Sequence, residues 1–350
     1  MKIAIILGAG ASAAEGAPLQ STLFRDYFKS IQGDHYVHNE MNSELGTFFH
    51  HMFGIDVDRG NLDEIQFPTF EETLGILDLA ERRRESLRDF DLENIASNSN
   101  RIRFIRQYLV MLMAKIIHEK LKDSRGHHDR LVKSLHDYGQ LSDTVFVSTN
   151  YDILIDNALS RLLPGGSLDY GVDFTNFVRE LDWAPPTNNP IHLYKVHGSL
   201  NWLFCPTCST LTLTPNEKGV IYLLTDFSKC PSCKSVIIPI IVPPTYYKDM
   251  SNIFLSQVWH RAEQALSSVD HIIFCGYSFP DADMHIKYLL KRIQTNRLSP
   301  PHFTVYNNHE GKKPELAKEE ELRYKRFLGG RVNYTNESFE DFVKDPLADL

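Results

Sequence analysis

The stretch HGSLNWLFCPTC runs from His197 to Cys208 and puts a histidine on a glycine turn just ahead of a cysteine pair. Cys205-Pro-Thr-Cys208 is matched downstream by Cys230-Pro-Ser-Cys233. Four thiolates on two such knuckles suit tetrahedral zinc, the usual occupant of closed four-sulfur sites. Four sulfurs leave no coordination position open, so the metal is expected to hold its inset together and take no part in catalysis. A redox role needs a single CxxC and explains half the pattern. His197 stands too far upstream to be an obvious ligand. An imidazole titrates near neutral pH and can accept a proton there. A lone histidine before glycine also serves as an ordinary core residue, so its neighbours must decide.

A second chemical signal opens the chain. The apolar run KIAIIL (2–7) ends in Gly8-Ala9-Gly10-Ala11-Ser12-Ala13. A chain that turns sharply at the end of a strand and brings backbone N–H groups close to a pyrophosphate uses glycine and alanine there, and the next helix adds its dipole. A tight turn packed on a sheet would use glycine as well. The acidic residue that usually follows about 20 positions on is unconvincing. Asp26 has the spacing, but its surroundings, LFRDYFKS, read as helix.

Polar residues also close the later apolar runs. Ser148-Thr149-Asn150-Tyr151-Asp152 follows TVFVS (144–148), and His197-Gly198-Ser199 follows HLYKV (192–196). Gly276-Tyr277-Ser278 follows HIIFCG (271–276), and Asn307 follows HFTVY (302–306). The carboxyl ends of parallel strands are where an open α/β sheet builds its ligand crevice. Asn150 has a plainer alternative as the N-cap of the helix YDILIDNALSRLL.

These motifs need a scaffold. Short, nearly continuous apolar strands separated by helical stretches predict a Rossmann-like parallel sheet covered on both faces, an α/β fold. Residues 18–140 read as a large helical insertion, with LDLAERRRESL and IRFIRQYLVMLMAKIIHEKL carrying helical periodicity. Residues 204–240 form a small zinc-ribbon module, leaving 1–17, 141–203 and 241–350 as the nucleotide-binding domain. The tail reads as helix, Gly-Gly turn, short strand, then a helix capped by Asn336 or Ser338. Arg82–Arg84 and Glu319–Glu321 read as solvated helix faces.

Composition bounds the function. The 350-residue chain is 42% hydrophobic and 23% charged, as expected of a globular protein. A net charge of −8 argues against general nucleic-acid binding, which needs positive surface. The N-terminal apolar run is short and reads as a buried strand rather than a signal peptide, and no run has membrane-spanning length. Paired cysteines fit a reducing cytoplasm.

The order Gly-Ala-Gly-Ala-Ser, Thr-Asn-Tyr-Asp, His-Gly, two cysteine pairs, Gly-x-Ser and a strand ending in Asn resembles the sirtuin family, from Lys2 to about Asn307. The resemblance implies that Gly8, Ala9, Gly10 and Ser12 contact the phosphates of NAD, and that Gly276, Ser278 and Asn307 hold its adenosine half. It sets Asn150 and Asp152 near the nicotinamide ribose as catalytic residues with His197 as the general base, and adds Thr149 to the residues that bind NAD. Two departures stand out. The family's Gly-Ile-Pro-Asp-Phe-Arg stretch is replaced by Glu15-Gly16-Ala17-Pro18-Leu19-Gln20, and its substrate-pairing Phe-Gly-Glu by Ile241-Val242-Pro243-Pro244-Thr245-Tyr246. Two prolines offer no N–H to an added peptide strand.

These departures and the helical insertion resemble the divergent bacterial sirtuin-like proteins that hydrolyse NAD. That branch implies an NAD glycohydrolase acting in anti-phage defence, as a homo-oligomer, with an ATPase or argonaute-type partner. The alternatives are a sirtuin-type deacylase or ADP-ribosyltransferase, and a non-enzymatic NAD or ADP-ribose sensor. Phe24 and Phe28 are candidates to shield the nicotinamide.

Overall fold

The computed structural model describes all residues except 33–39, 59–60, 91–99, 164–167, 175–188, 215–228, 243–251, 310–313 and 349–350. Two compact units make up the chain. One comprises Met1–Ala17 with Asp123–Leu350, and the other Pro18–Lys122.

The first unit is an α/β unit, as the apolar runs predict. Its strands are β1 (Ile3–Leu7), β2 (Thr144–Ser148), β3 (Leu168–Asp169), β4 (Ile191–Lys195), β5 (Gly198–Phe204), β6 (Leu211–Leu213), β7 (Ile238–Ile241), β8 (His271–Cys275), β9 (His302–Tyr306) and β10 (Val332–Tyr334). Seven of them form one parallel sheet in the order β10-β9-β8-β1-β2-β4-β3. Every residue of β1, β2 and β8 is buried, which is why these strands lack polar–apolar alternation. The chain builds the sheet outward from β1 to one edge, then returns to β8 and builds toward the other. That reversal puts the crevice of a doubly wound sheet between β1 and β8.

Register aligns the strand ends. Lys195 pairs Ser148, Ser148 pairs Leu7, Leu7 pairs Cys275 and Cys275 pairs Tyr306. These five residues make one row across the sheet, so the polar residues after them share one rim.

The helices of this unit are α1 (Ala9–Ala14), α6 (His127–Asp137), α7 (Leu154–Leu162), α8 (Ile253–Leu266), α9 (Met284–Thr295), α10 (Pro314–Leu328) and α11 (Phe339–Phe342), where α2 to α5 belong to the other unit. Helix α6 lies with the sheet, and the compact helical unit ends at Lys122 rather than at residue 140. Ser338 caps α11 in a capping box with Asp341. A separate antiparallel sheet, β6-β5-β7, leaves the end of β4. The sequence marks a zinc-ribbon module at 204–240 without placing individual strands in it. The strands are three to seven residues long and are interrupted by the cysteine knuckles, which hides their periodicity.

The second unit holds α2 (Leu23–Gln32), α3 (Glu40–Phe53), α4 (Phe70–Arg83) and α5 (Arg101–Lys120). Its core is aromatic. Phe24 meets Phe49 at 4.7 Å between centroids, and Phe28 stacks on Phe67 at 5.9 Å. Phe24 and Phe28 are each 1% exposed, so they are core rings of this unit and not free faces for a nicotinamide. Asp26 sits on α2. Arg82, Arg83 and Arg84 are exposed, as the flanking glutamates suggest. No helix among the described residues is long and apolar enough to cross a membrane.

Candidate active site and cysteine cluster

The glycine turn after β1 is shaped by the loop after β8. Gly8 N–H donates to the Cys275 carbonyl at 2.9 Å, and Gly10 N–H to the Gly276 carbonyl at 2.7 Å. A Cβ on Gly8 would lie 2.5 Å from Tyr277 Cα, and one on Gly10 2.7 Å from Gly276 Cα. Gly276 has φ +63, and its own Cβ would meet Ala11 N at 2.2 Å. Backbone-to-backbone contact therefore requires all three glycines. It uses the Gly8 and Gly10 amides that the sequence assigned to phosphates. Ala9 remains exposed at the turn.

Ser12 lies one turn into α1, 4% exposed. Its hydroxyl donates to Asp152 Oδ2 at 2.5 Å and accepts from Asn150 Nδ2 at 2.8 Å. The second Asn150 Nδ2 hydrogen goes to the Gly8 carbonyl at 2.8 Å. A carbonyl only accepts, so this bond fixes the amide's orientation, and the acceptor Oδ1 is the group that points elsewhere. Asn150 does not cap α7. The N-cap position is Ile153, and Asp152 Oδ1 accepts from Leu154 N–H at 3.1 Å instead. Thr149 donates its N–H and hydroxyl to the Leu7 carbonyl, at 3.0 and 3.2 Å.

His197 sits where β4 gives way to β5, at the junction of the two sheets. Gly198 makes that junction possible. Its φ is +84, and a Cβ there would meet the Ile240 carbonyl oxygen at 2.0 Å. The imidazole is 2% exposed. Nδ1 faces the Thr149 carbonyl at 3.1 Å and so carries the proton. Nε2 faces Asp283 Oδ1 at 3.5 Å. Asp283 is 1% exposed and accepts the Tyr277 hydroxyl at 2.6 Å.

Beneath this rim, Lys195 is fully buried. Its ammonium donates to Asp156 Oδ2 at 3.1 Å and to the Asp152 carbonyl. Asp156 also accepts from Tyr170 at 2.9 Å and Asn201 at 3.1 Å. The structure thus joins Ser12, Thr149, Asn150, Asp152 and His197 in one network. Lys195, Asp156, Tyr277 and Asp283 belong to it and were not singled out in the sequence. Asp283 follows the Gly-x-Ser turn by five residues and looks there like a helix cap.

Two expected ligand residues lie differently. Ser278 is exposed. Asn307 donates to Glu320 Oε1 at 2.5 Å, and Glu320 also accepts from the Tyr334 hydroxyl at 3.1 Å and lies 3.3 Å from His309 Nε2. Glu320 is 3% exposed, so the solvated-face reading of Glu319–Glu321 is wrong at its centre. The helix turns that one carboxylate inward, where three polar partners offset its desolvation. Glu15, the first residue of the altered family stretch, is also buried. Its carboxylate accepts from Gly126 N–H and His128 N–H, both at 2.8 Å, and so caps α6.

The four paired cysteines come together, with their sulfurs all within 4.8 Å of one another. Cys205 and Cys233 lie 3.4 Å apart and Cys208 and Cys230 3.5 Å, far beyond a disulfide bond. Sulfurs about 2.3 Å from one zinc sit roughly 3.8 Å apart, so small shifts would admit the ion. The knuckles repeat one backbone design. Cys205 N–H donates to Thr210 O and Ser209 N–H to Cys205 O; Cys230 pairs with Ser235 and Lys234 in the same way. Ser209 and Lys234 both have positive φ, 58 and 65. The four-thiolate set fits zinc. Residues 215–228 between the knuckles and Pro243–Tyr246 beyond them lie outside the described residues.

The family model described as "SIR2-like domain" matches residues 144–325. Similar solved structures include Sir2Tm bound to a propionylated peptide, with 13% identity, TM-score 0.41, and 99% of this chain and 92% of that chain covered. A Sir2–p53 peptide–NAD+ complex has 13% identity and TM-score 0.42 over 99% and 92% of the two chains. A Sir2 homologue mutant with ADP ribose has 13% identity and TM-score 0.45 over 98% and 89%. No curated protein matches the chain.

Proposed function

The chain belongs to the SIR2-like family, whose domain implies an NAD-dependent enzyme, and on that premise we propose that it is an NAD glycohydrolase. Water would be the nucleophile. The bond between C1′ of the ribose and the nicotinamide nitrogen breaks, and its electron pair leaves with nicotinamide. The water oxygen bonds C1′ to give ADP-ribose, and its proton passes to a base. Nicotinamide leaves as a neutral ring, so the enzyme's main task is to steady the developing oxocarbenium ion and orient the water.

The observation that carries this reading is the state of Asn150 and His197. Both Asn150 amide hydrogens are spent on Gly8 and Ser12, leaving Oδ1 as an acceptor for a water or ribose hydroxyl. The His197 proton is fixed on Nδ1 by the Thr149 carbonyl, so Nε2 is the nitrogen able to take another. Asp152 locks Ser12, and through it Asn150. In the same reading Ala9, Gly10, Gly276 and Ser278 lie toward the phosphates and adenosine, with Asn307 beside them. The four cysteines hold a structural zinc.

The loss of the family's Gly-Ile-Pro-Asp-Phe-Arg stretch, and the prolines Pro243 and Pro244 that offer no N–H to an added peptide strand, support hydrolysis over protein deacylation. The resemblance to the NAD-hydrolysing branch extends the proposal to a cytoplasmic defence protein that depletes NAD, as a homo-oligomer with an ATPase or argonaute-type partner. The test is NAD turnover by purified protein without peptide, beside His197→Ala and Asn150→Ala. Release of nicotinamide and ADP-ribose should fall on the order of a hundredfold or more in each variant. Turnover that appears only when an acylated peptide is added, with transfer of the acyl group, would replace hydrolysis by deacylation.

A further inference from the structure

Asp283 occupies the N-cap position of the twelve-residue helix α9, yet its side chain caps nothing. Aspartate is among the best N-cap residues because its carboxylate accepts the free N–H groups of the first turn. Here the carboxylate is turned away from the helix. One oxygen takes the Tyr277 hydroxyl at 2.6 Å, and the other faces His197 Nε2 at 3.5 Å. The helix gives up a capping bond to place a carboxylate beside an imidazole. The loop that delivers it is also strained, since Phe279, fully buried, sits in the left-handed region at φ 52.

We propose that Asp283 is the ionic partner of His197, a positioning residue that holds the ring and stabilises the positive charge it gains on taking a proton. This rests on the reading of His197 as the base. The arrangement differs from a serine-protease triad, where the carboxylate binds Nδ1. In this site a backbone carbonyl fills that place, and the carboxylate stands beside the reactive nitrogen. The separation of 3.5 Å is an ion-pair distance with no tight hydrogen bond, so Nε2 can still receive a proton from a neighbouring hydroxyl or water. The Tyr277 hydroxyl donates to the carboxylate at 2.6 Å and so favours its anionic form. Charge gained by His197 is therefore met by fixed negative charge already in place.

Among the described residues, other groups near the ring have partners of their own. Lys195 binds Asp156, and Asp152 binds Ser12. From α8, Trp259 donates its indole N–H to the Val196 carbonyl at 2.8 Å, and His285 of α9 lies against Trp259. The β7 side offers Val242 N–H to the His197 carbonyl.

The experiment uses Asp283→Asn and Asp283→Ser. Asparagine keeps an oxygen that can accept the Tyr277 hydroxyl and serine can cap α9, so a purely structural role for Asp283 predicts little loss in at least one of them. The first readout needs no activity: the NMR titration of His197, assigned with His197→Gln. Losing a partner carboxylate should lower its midpoint by about one pH unit or more in both variants. The second readout is the pH profile of NAD cleavage. Its acid limb should move to lower pH by the same amount, while kcat falls on the order of tenfold or more and KM changes little. A His197 midpoint unmoved in two folded variants overturns the pairing even if NAD is hydrolysed. A shifted midpoint in a protein that does not cleave NAD upholds the pairing and removes the hydrolase reading instead.

Discussion

The cysteine knuckles and the polar rim solve the same problem, holding side chains in fixed geometry, in opposite ways. Each knuckle is local. Two sulfurs three residues apart are set by hydrogen bonds between residues no more than five apart, and the design is used twice. The rim is non-local. Ser12 reaches Asp152 across 140 residues, and His197 reaches Thr149 across 48. A metal site can be written into a short segment because the ion supplies the convergence. A network of hydrogen bonds has no such centre, so the sheet register must bring its members together.

Removing the metal should break the comparison hardest on the local side. A structural zinc contributes folding free energy outright, on the order of 10 kcal/mol in isolated fingers. Cys208→Ser and Cys233→Ser replace the two exposed ligands. Metal analysis should find one zinc per chain in the wild type and little in either variant. Hydrogen exchange should show β5, β6 and β7 losing protection while β1 and β8 keep theirs. Unchanged zinc content in both variants would remove the four-thiolate site. Loss of protection across both sheets alike would show that the small sheet is not separately held.

The same contrast explains what could be read from the residues alone. The cysteine cluster was legible because spacing implies geometry when the ligand shell is fixed. The five-residue strands β1, β2, β4, β8 and β9 were legible because burial makes them mostly apolar. Strands β3, β6 and β7 were not, since two to four residues carry little period, and β5 was not because Gly198, Ser199 and Asn201 interrupt its apolar run. Asn150 and His197 could be placed at strand ends, but their partners could not. Nothing in PDADMHI shows that Asp283 turns away from its helix, and nothing in EEE shows that only Glu320 turns inward. Gly8 and Gly10 were legible as a turn, but the reason they are glycine is the Gly276 loop, 260 and more residues away.

Lys195 tests the non-local side beneath the rim. Its ammonium is the cation facing Asp156, and both side chains are at most 3% exposed. Lys195→Met keeps the length of the side chain and leaves Asp156 buried with neutral partners, Tyr170 and Asn201, among the described residues. Breaking one side of a buried pair costs about 3–5 kcal/mol. Denaturant unfolding should show that loss, and adding Asp156→Asn should recover part of it, because the two changes act on one interaction. Additive losses in the double variant would mean that the pair does not act as a unit.

Glu15 is the gentlest probe, because a carboxylate at the end of α1 caps a helix more than a hundred residues on and its contribution can be titrated away. Burial pushes the Glu15 carboxyl up, but hydrogen bonds from the His128 side chain and backbone, the His128 charge and the Ser124 hydroxyl outweigh it. Together they lower the pKa from an ordinary 4.5 to about 2. A carboxyl with a depressed folded pKa adds stability that is fully present above its unfolded value and lost as pH falls toward the folded one. Two and a half units correspond to about 3 kcal/mol at most. Glu15→Gln should therefore be less stable than wild type by up to that amount at pH 6 to 7. The gap should narrow as pH falls below about 4.5 and nearly close by pH 2. A gap that stays constant across this range would mean that shape, and not charge, holds α6 to α1.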